Sequence, residues 1–189
     1  VDEVRVVDAL GSPFVATITV TAPLAIVAPQ RATTPRGTLN FMAQGGSGTG
    51  FTWALATNAS GGSITGSVYV AGATGSVTDV VQVTDSLGNV ATVDVTVGPA
   101  VTIMPSTISV TPRGSQAFTA MGGTNTGFTW TLVNRSGGTI EPFTGQYTAG
   151  PTGAVTDVVG VRDSLGNTAT VDVLVSSSLT ITPASPRTP

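Results

Sequence analysis

Thr78–Val97 reads TDVVQVTDSLGNVATVDVTV, and Thr156–Val175 reads TDVVGVRDSLGNTATVDVLV. Sixteen of these twenty positions are identical, at an offset of 78 residues. In both copies valines alternate with other residues on each side of an Asp-Ser-Leu-Gly-Asn loop, which indicates two antiparallel strands with one buried face. Asp at the start of the loop and Gly near its end predict a hairpin built on a type I turn followed by a left-handed residue.

Further motifs recur at nearly the same offset on the N-terminal side of this hairpin. Phe51-Thr52-Trp53 recurs as Phe128-Thr129-Trp130, and Pro35-Arg36-Gly37 recurs as Pro112-Arg113-Gly114, both at an offset of 77. An internal period of this length indicates a tandem array of small domains. We therefore predict two complete repeats, at 24–98 and 99–176.

Both ends of the chain match only part of a repeat. Residues 1–20 align with 77–97, so 1–23 is predicted to be the C-terminal hairpin of a preceding repeat. Residues 179–189 align with the start of the second repeat, so 177–189 is predicted to be the first strand of a following one. Neither fragment can bury a core alone, so we expect neighbouring repeats or other chains to complete them.

Within one repeat, short alternating runs separated by Gly, Pro, Asn and Ser predict an all-β sandwich. The fold class is therefore all-β, with tandem β-sandwich domains arranged as beads on a string. For the first repeat the predicted strands are Leu24–Ala28 with a continuation after a kink near Pro29, Thr38–Gln44, Phe51–Ala56, Ser63–Thr65, Ser67–Ala71, Thr78–Thr84 and Val90–Val97.

Composition excludes several classes of protein. Hydrophobic residues make up 40% of the chain and charged residues only 9%, which is unlike a disordered segment. With a net charge of −3 and no basic run, nucleic-acid binding has no support. No apolar run approaches the roughly 18 residues of a membrane helix. Because there is no Cys, each domain has to be held together by its core alone.

The residue types also leave little for catalysis. His, Cys and Lys are absent, and Glu occurs only at positions 3 and 141. This removes the usual general base, thiol and amine nucleophiles and most transition-metal ligands. Calcium is the remaining option for a ligand, because Asp79, Asp85 and Asp94 recur as Asp157, Asp163 and Asp172. The linker Val97–Ala100 carries no acid, so turn and cap hydrogen bonds are the predicted role. We expect no enzyme and no catalytic, cofactor or metal site.

Several side chains have a predicted position. Trp53 and Trp130 are expected in the cores, Gly45–Gly50 in a flexible loop at the sandwich end, and Leu87 packed over that end. The strand alternation predicts exposed apolar side chains on the outer faces, namely Val80, Val90, Val158 and Leu174. Because few charges protect these faces, lateral contacts of the kind found in a filament are expected.

The Phe-Thr-Trp strand, the TDxVxVxDSLGNxAT motif and the alternating valines resemble bacterial immunoglobulin-like repeats of surface and fibre proteins. The resemblance covers the whole chain and implies an extracellular, cell-surface location. It is specific for the fold and implies that the chain is all-β, with tandem immunoglobulin-like β-sandwich domains. Such folds serve adhesins, stalks and spacers alike.

We first expect a structural repeat of an extracellular bacterial fibre or surface stalk. Its expected partners are neighbouring repeats or other copies of the same chain in a filament or surface layer. The alternative is an adhesin module that recognises a host or surface glycan or protein through Gly45–Gly50 and Thr57–Gly62. A spacer on a secreted enzyme is a third option. The two repeats share Gly-rich, uncharged loops without extra aromatic residues, which favours the structural role.

Overall fold

A computed structural model of the chain describes residues 2–177, and these contain strands and no helix. The chain begins with a two-stranded antiparallel hairpin, β1 (Asp2–Val7) and β2 (Pro13–Ile18). Nine strands follow, which we call the first sandwich: β3 (Ala25–Val27), β4 (Ala32–Thr33), β5 (Thr38–Asn40), β6 (Met42–Gln44), β7 (Thr52–Thr57), β8 (Ser63–Thr65), β9 (Val68–Val70), β10 (Val77–Thr84) and β11 (Val90–Val97).

The next nine strands form the second sandwich and repeat the same order: β12 (Thr102–Met104), β13 (Ile108–Val110), β14 (Ser115–Ala117), β15 (Thr119–Met121), β16 (Thr129–Val133), β17 (Thr139–Ile140), β18 (Gln146–Thr148), β19 (Val155–Arg162) and β20 (Thr168–Val175). No helix in residues 2–177 is long and apolar enough to cross a membrane. Of the strand predicted at 177–189, only residue 177 is among the described residues, and the rest lies outside them.

Each sandwich has the strand order of an immunoglobulin-like domain. In the first sandwich one sheet has the order β4-β11-β10-β7, and the facing layer consists of β5-β9-β8 together with β3-β6. The first strand of the domain is shared between the layers, because β3 pairs with β6 whereas β4, after the kink at Pro29, pairs in parallel with β11. The second sandwich repeats this switch with β12 and β13.

The cores form where the predicted alternation places them. Val81 pairs with Val93 across β10 and β11, and Val81, Val83, Val95 and Val97 have no exposed surface. In the facing layer, the ring of Phe41 lies 6.3 Å from that of Trp53 and 6.5 Å from that of Tyr69. Phe118, Trp130 and Tyr147 repeat this cluster in the second sandwich.

Three details differ from the predictions, and the third of them recurs in the second repeat. The strand expected at Thr38–Gln44 is broken at Phe41, because β5 pairs with β9 and β6 pairs with β3. Leu87 does not pack over the sandwich end, since its side chain is 78% exposed. Val80 and its counterpart Val158 are half-buried rather than exposed, because neighbouring strands flank β10 and β19 on both sides. The other predicted strands agree within one residue, and Val90 and Leu174 are exposed as expected.

The N-terminal hairpin has an apolar face that no other part of the described chain covers. Val4 pairs with Ala16, Val6 pairs with Phe14, and Ile18 lies on the same face. By sequence alignment Val4 and Val6 correspond to Val81 and Val83, which are fully buried, yet Val6 is 60% exposed. This hairpin therefore has the sequence of the last two strands of a sandwich without the layer that would cover it.

Candidate functional site: the loop ends and the junction between sandwiches

A buried carboxylate holds one end of each sandwich. In the first sandwich Asp79, at the start of β10, accepts hydrogen bonds from the backbone N–H of Ser60 (2.8 Å), from the Ser60 hydroxyl and from the Tyr69 hydroxyl (2.6 Å). Ser60 Oγ in turn accepts a hydrogen bond from the N–H of Gly72 at 2.9 Å. These contacts join the loop between β7 and β8 to the segment that follows β9. We call this the tail end of the sandwich.

The second sandwich repeats the arrangement with equivalent residues. Asp157 accepts hydrogen bonds from the N–H of Ser136 (2.8 Å), the Ser136 hydroxyl (2.6 Å) and the Tyr147 hydroxyl (2.6 Å). The N–H of Arg135 adds a further bond at 2.6 Å. Ser60, Asp79 and their counterparts have at most 1% of their surface exposed, so these groups hold structure and cannot reach a substrate in solution.

The environment shifts the pKa values in a consistent direction. Burial raises the pKa of the Asp79 carboxyl, but the hydrogen bonds from Ser60 and Tyr69 outweigh it and lower the pKa overall. Asp157 follows the same pattern. Burial, followed by the hydrogen bond to Asp79, raises the pKa of Tyr69 to about 12. At neutral pH the carboxylate is therefore charged and the phenol neutral, which are the forms that the hydrogen bonds require.

A second carboxylate organises the opposite end, which we call the head end. Asp85 accepts hydrogen bonds from the N–H groups of Leu87 and Asn89 (both 2.9 Å) and from the Asn89 side-chain amide (2.8 Å). It also accepts one from the N–H of Ser47 at 2.7 Å, which ties the hairpin loop Asp85–Asn89 to the loop Gly45–Gly50. The loop Gly45–Gly50 is therefore anchored at its centre, although its sequence predicted a flexible loop.

A hairpin loop of this kind occurs three times within residues 2–177. Asp163 accepts hydrogen bonds from the N–H groups of Thr124 (2.8 Å), Leu165 (3.0 Å) and Asn167 (2.8 Å), and Asp8 accepts from Leu10 and Ser12 in the N-terminal hairpin. The loop glycines all have a positive φ, of 82° at Gly11 and 83° at Gly88 and Gly166. This confirms the left-handed residue that the Gly position predicted.

The structure separates the residues that the sequence singled out as binding candidates. Gly45–Gly50 belongs to the head end and Thr57–Gly62 to the tail end, so the two loops do not form one surface. Trp130 is buried and Trp53 half-buried, both against core aromatic rings. Asp79 and Asp85 are at opposite ends of β10, and Asp94 is exposed on β11. Among residues 2–177 no group of three His, Cys, Asp or Glu is placed to hold a metal ion.

The linker between the sandwiches is bound on both sides. The carbonyl of Gly98 accepts a hydrogen bond from the N–H of Ser76 in the first sandwich (2.9 Å). The next carbonyl, of Pro99, accepts one from the N–H of Gly123 in the second sandwich (2.9 Å). Gly75 lies so close to the linker that a Cβ there would be 2.6 Å from the Gly98 carbonyl oxygen. The linker is therefore packed into the junction and contacts both sandwiches.

One side-chain contact crosses the junction directly. The side-chain amide of Asn167, in the hairpin loop of the second sandwich, donates a hydrogen bond of 3.0 Å to the carbonyl of Pro35. Pro35 begins the Pro-Arg-Gly turn (Pro35–Gly37) at the tail end of the first sandwich. Asn167 is only 5% exposed, whereas its counterpart Asn89 is exposed, so contact with the neighbouring sandwich accounts for the burial of the Asn side chain.

The second sandwich has one exposed aromatic side chain without a counterpart. Between the paired residues Ile140 and Tyr147 the second sandwich has two more residues than the first has between Ile64 and Tyr69. This longer loop, between β17 and β18, carries Phe143, which is 81% exposed. The expectation that neither repeat has an extra aromatic residue in its loops is therefore wrong for this loop. The backbone of the loop is fixed by a hydrogen bond from the N–H of Trp130 to the carbonyl of Pro142 (2.8 Å).

Sequence reasoning missed both the Ser-Tyr-Asp cluster and the junction contact. A signal for the first was present, because the only two tyrosines of the chain occupy equivalent positions in the two repeats. Asn167 carried no signal of its own, since Asn89 occupies the same place in an identical loop and has a different environment.

Comparison with known proteins finds no matching family model and no matching curated protein. Solved structures do match. A C-terminal fragment of intimin, in complex with the intimin-binding domain of its receptor Tir, is 16% identical, and the match covers 80% of this chain and 63% of that one with a TM-score of 0.43. The N-terminal eight immunoglobulin domains of Down syndrome cell adhesion molecule match at 14% identity over 90% of this chain and 26% of that one, with a TM-score of 0.39.

Extracellular cadherin domains 1–4 of protocadherin gamma B7 match at 13% identity over 82% of this chain and 50% of that one, with a TM-score of 0.35. This chain thus spans less than two thirds of each of these three proteins. At such distances the immunoglobulin-like architecture rests on the strand order of the chain itself, and the role of the chain has to be argued from its own surfaces.

Proposed function

We propose that this chain is a segment of an extracellular bacterial fibre or cell-surface stalk, in which immunoglobulin-like repeats provide length and surface rather than catalysis. The observation that carries the proposal is the junction: two sandwiches of the same strand order follow each other head to tail, and consecutive linker carbonyls bind one to each. Repeats that contact mainly their neighbours give an array whose length scales with copy number.

The division into repeats forms part of this proposal. The complete repeats would be 24–98 and 99–176, with 1–23 the last hairpin of a preceding repeat and 177–189 the start of a following one. The uncovered apolar face of the N-terminal hairpin supports the first assignment, because an isolated two-stranded hairpin is marginal in water. The missing layer would come from the preceding repeat.

Lateral assembly into a filament is the finer part of the proposal. Exposed apolar side chains such as Met42, Val90, Met121 and Leu174 stand on faces where charged residues are few. Soluble monomers usually protect such faces with Lys or Glu, and this chain has no Lys at all. A high-concentration solution of the chain that stays strictly monomeric would contradict lateral assembly while leaving the stalk role intact.

Electron microscopy of the native material is the test of the proposed function. A strand of eight residues is about 26 Å long, so each repeat should add at least about this length to a rod or fibre. We expect rods or ordered fibres in which antibodies against this chain bind at regular intervals. Compact particles, or antibody binding at a single point next to a catalytic domain, would support the spacer role instead.

An adhesin module is the second candidate, and Phe143 is the observation that favours it. An exposed aromatic side chain on a fixed loop is a common anchor for protein or sugar partners. The test is binding of the chain to glycan arrays and to host cell surfaces, with Phe143→Ala as the variant. Leu87→Ala, which removes an equally exposed side chain from the first sandwich, is the matched control.

A further inference from the structure

We infer that the contact between the Asn167 side chain and the Pro35 carbonyl is one copy of a repeating contact between an Asp-Ser-Leu-Gly-Asn loop and a Pro-Arg-Gly turn, which we call the socket. The cleft beside Asn89 is a second copy of the socket. Its occupant is the Pro-Arg-Gly turn of the repeat to which the N-terminal hairpin belongs. The inference rests on the proposed function as a tandem array. It adds a specific interaction surface to that function and fixes how successive repeats are oriented.

Both halves of the socket occur in both sandwiches. The turn is present as Pro35–Gly37 and Pro112–Gly114, and the Asp-Ser-Leu-Gly-Asn loop as Asp85–Asn89 and Asp163–Asn167. Where the halves meet, Pro35 of the turn and Asn167 of the loop are buried. Where they do not meet within the described chain, Pro112 is half-buried and Asn89 is exposed. The difference in burial between identical motifs follows the presence of the partner.

The segment that enters the first sandwich is bound in the same way as the linker that enters the second. The N–H of Gly46 donates to the carbonyl of Ala22 at 2.8 Å, as the N–H of Gly123 donates to the carbonyl of Pro99 at 2.9 Å. The chain therefore enters the head end of both sandwiches along the same path. A preceding repeat that follows this path would bring its Pro-Arg-Gly turn to Asn89, as the first sandwich brings Pro35 to Asn167.

The cleft offers the space and the donor that such a turn requires. It has a volume of about 520 Å³ and lies between the entering segment Val20–Leu24 and three residues of the hairpin, Leu87 and Asn89 in its loop and Val90 at the start of β11. The side-chain amide of Asn89 uses one N–H for Asp85, and the other has no protein partner among residues 2–177. In Asn167 that second N–H is the one bound to the Pro35 carbonyl.

Spin-label distances in the full chain test whether the socket fixes the orientation of the repeats. Because the chain has no Cys, Thr92→Cys and Thr170→Cys place one label at the same exposed position of each sandwich. We expect a single narrow distance distribution. Asn167→Asp sets a second carboxylate against Asp163 and the Pro35 carbonyl, and the narrow peak should be lost.

Asn89→Asp is the matched control for that variant. It places the same second carboxylate beside Asp85 in an identical loop, but outside the junction, so the narrow peak should persist. Equal broadening in both variants, or a broad distribution in the parent chain, would overturn the socket. The stalk role would survive that result as a flexible string, because microscopy of the native fibre tests it separately.

A lengthened chain tests the second copy of the socket. Replacing residues 1–20 by 24–97 supplies a complete preceding repeat, because 1–20 aligns with the end of that segment. In NMR spectra we expect the side-chain amide resonance of Asn89 to move to the chemical shift of the Asn167 resonance and to show the same temperature dependence. An unchanged resonance would overturn the proposed occupant. A shift produced by adding unlabelled parent chain would also overturn it, because the contact would then form between chains.

Discussion

The hydroxyl of Tyr69 donates a hydrogen bond of 2.6 Å to the carboxylate of Asp79, and neither side chain has any exposed surface. The pair links the middle of the facing layer, where Tyr69 lies in β9, to the start of β10 in the other sheet. A buried charge is tolerated here because every donor around it is a neutral hydroxyl or amide that needs an acceptor.

Removing one donor from this cluster should cost measurable stability. Tyr69→Phe should lower the free energy of unfolding of the first sandwich by about 1.5–3 kcal/mol, the range for hydrogen bonds to charged groups. Urea unfolding followed by tryptophan fluorescence measures it. Tyr147→Phe should give the same loss in the second sandwich, and a loss confined to one of the two would contradict the equivalence of the clusters.

Removing the acceptor should cost more. Asp79→Ala leaves the Ser60 N–H and the hydroxyls of Ser60 and Tyr69 buried without a partner, and we expect a loss of at least about 3 kcal/mol. Asp94→Ala, which removes an exposed carboxylate from the adjacent strand, should change stability by less than about 0.5 kcal/mol. Equal effects of the two substitutions would refute the role assigned to Asp79.

Stability should fall in acid. The folded chain lowers the pKa values of Asp79, Asp157 and Asp163, so below about pH 4 the unfolded chain takes up protons more readily than the folded one. The stability supplied by these carboxylates is therefore present above that pH and lost as pH falls through the folded pKa values. Urea midpoints recorded from neutral pH downward check this, and Asp79→Asn with Asp157→Asn should flatten the profile.

Stability should also fall at alkaline pH. The pKa of Tyr69 and that of Tyr147 are each raised to about 12, so above about pH 10 the unfolded chain loses these phenolic protons first. Stability should therefore decline as pH rises through this interval. Tyr69→Phe with Tyr147→Phe removes both groups, and an alkaline decline that persists unchanged in this variant would count against the assignment.

Two glycines should respond very differently to alanine. At Gly88 a Cβ meets nothing within 4 Å, so Gly88→Ala should cost only the left-handed φ of 83°, about 1–2 kcal/mol. At Gly72 a Cβ would collide with the backbone carbonyl of Ser60, and Gly72→Ala should displace the loop that holds Asp79. Thermal unfolding should rank Gly72→Ala as clearly the more damaging.

Chelation should leave the protein unchanged. The oxygens of Asp85 and Asp163 accept hydrogen bonds from backbone N–H groups and Asn side chains, which leaves them poorly placed as calcium ligands. We therefore expect the same melting temperature with EDTA and with added Ca²⁺. A melting temperature that falls with EDTA and recovers with Ca²⁺ would show an ion site that these contacts do not account for.

Much of the fold was readable from local patterns. The alternating valines of β10 and β11 specified which side chains are buried, and the Asp-Ser-Leu-Gly-Asn loop specified its turn, because both depend on residues within one hairpin. The break of the second strand at Phe41 was not readable. It arises because the two halves of that strand pair with different partners, β9 and β3, which are far apart in sequence.

The sequence was sufficient for the class of fold, the repeat and the turn chemistry, since hydrophobic period, glycine conformation and hairpin loops act over a few neighbouring residues. It was not sufficient for the roles of Ser60, Tyr69 and Asp79, or for the different environments of Asn89 and Asn167. Those depend on which groups meet in space: a buried carboxylate collects donors from three segments, and identical loops differ only in whether a neighbouring sandwich covers them.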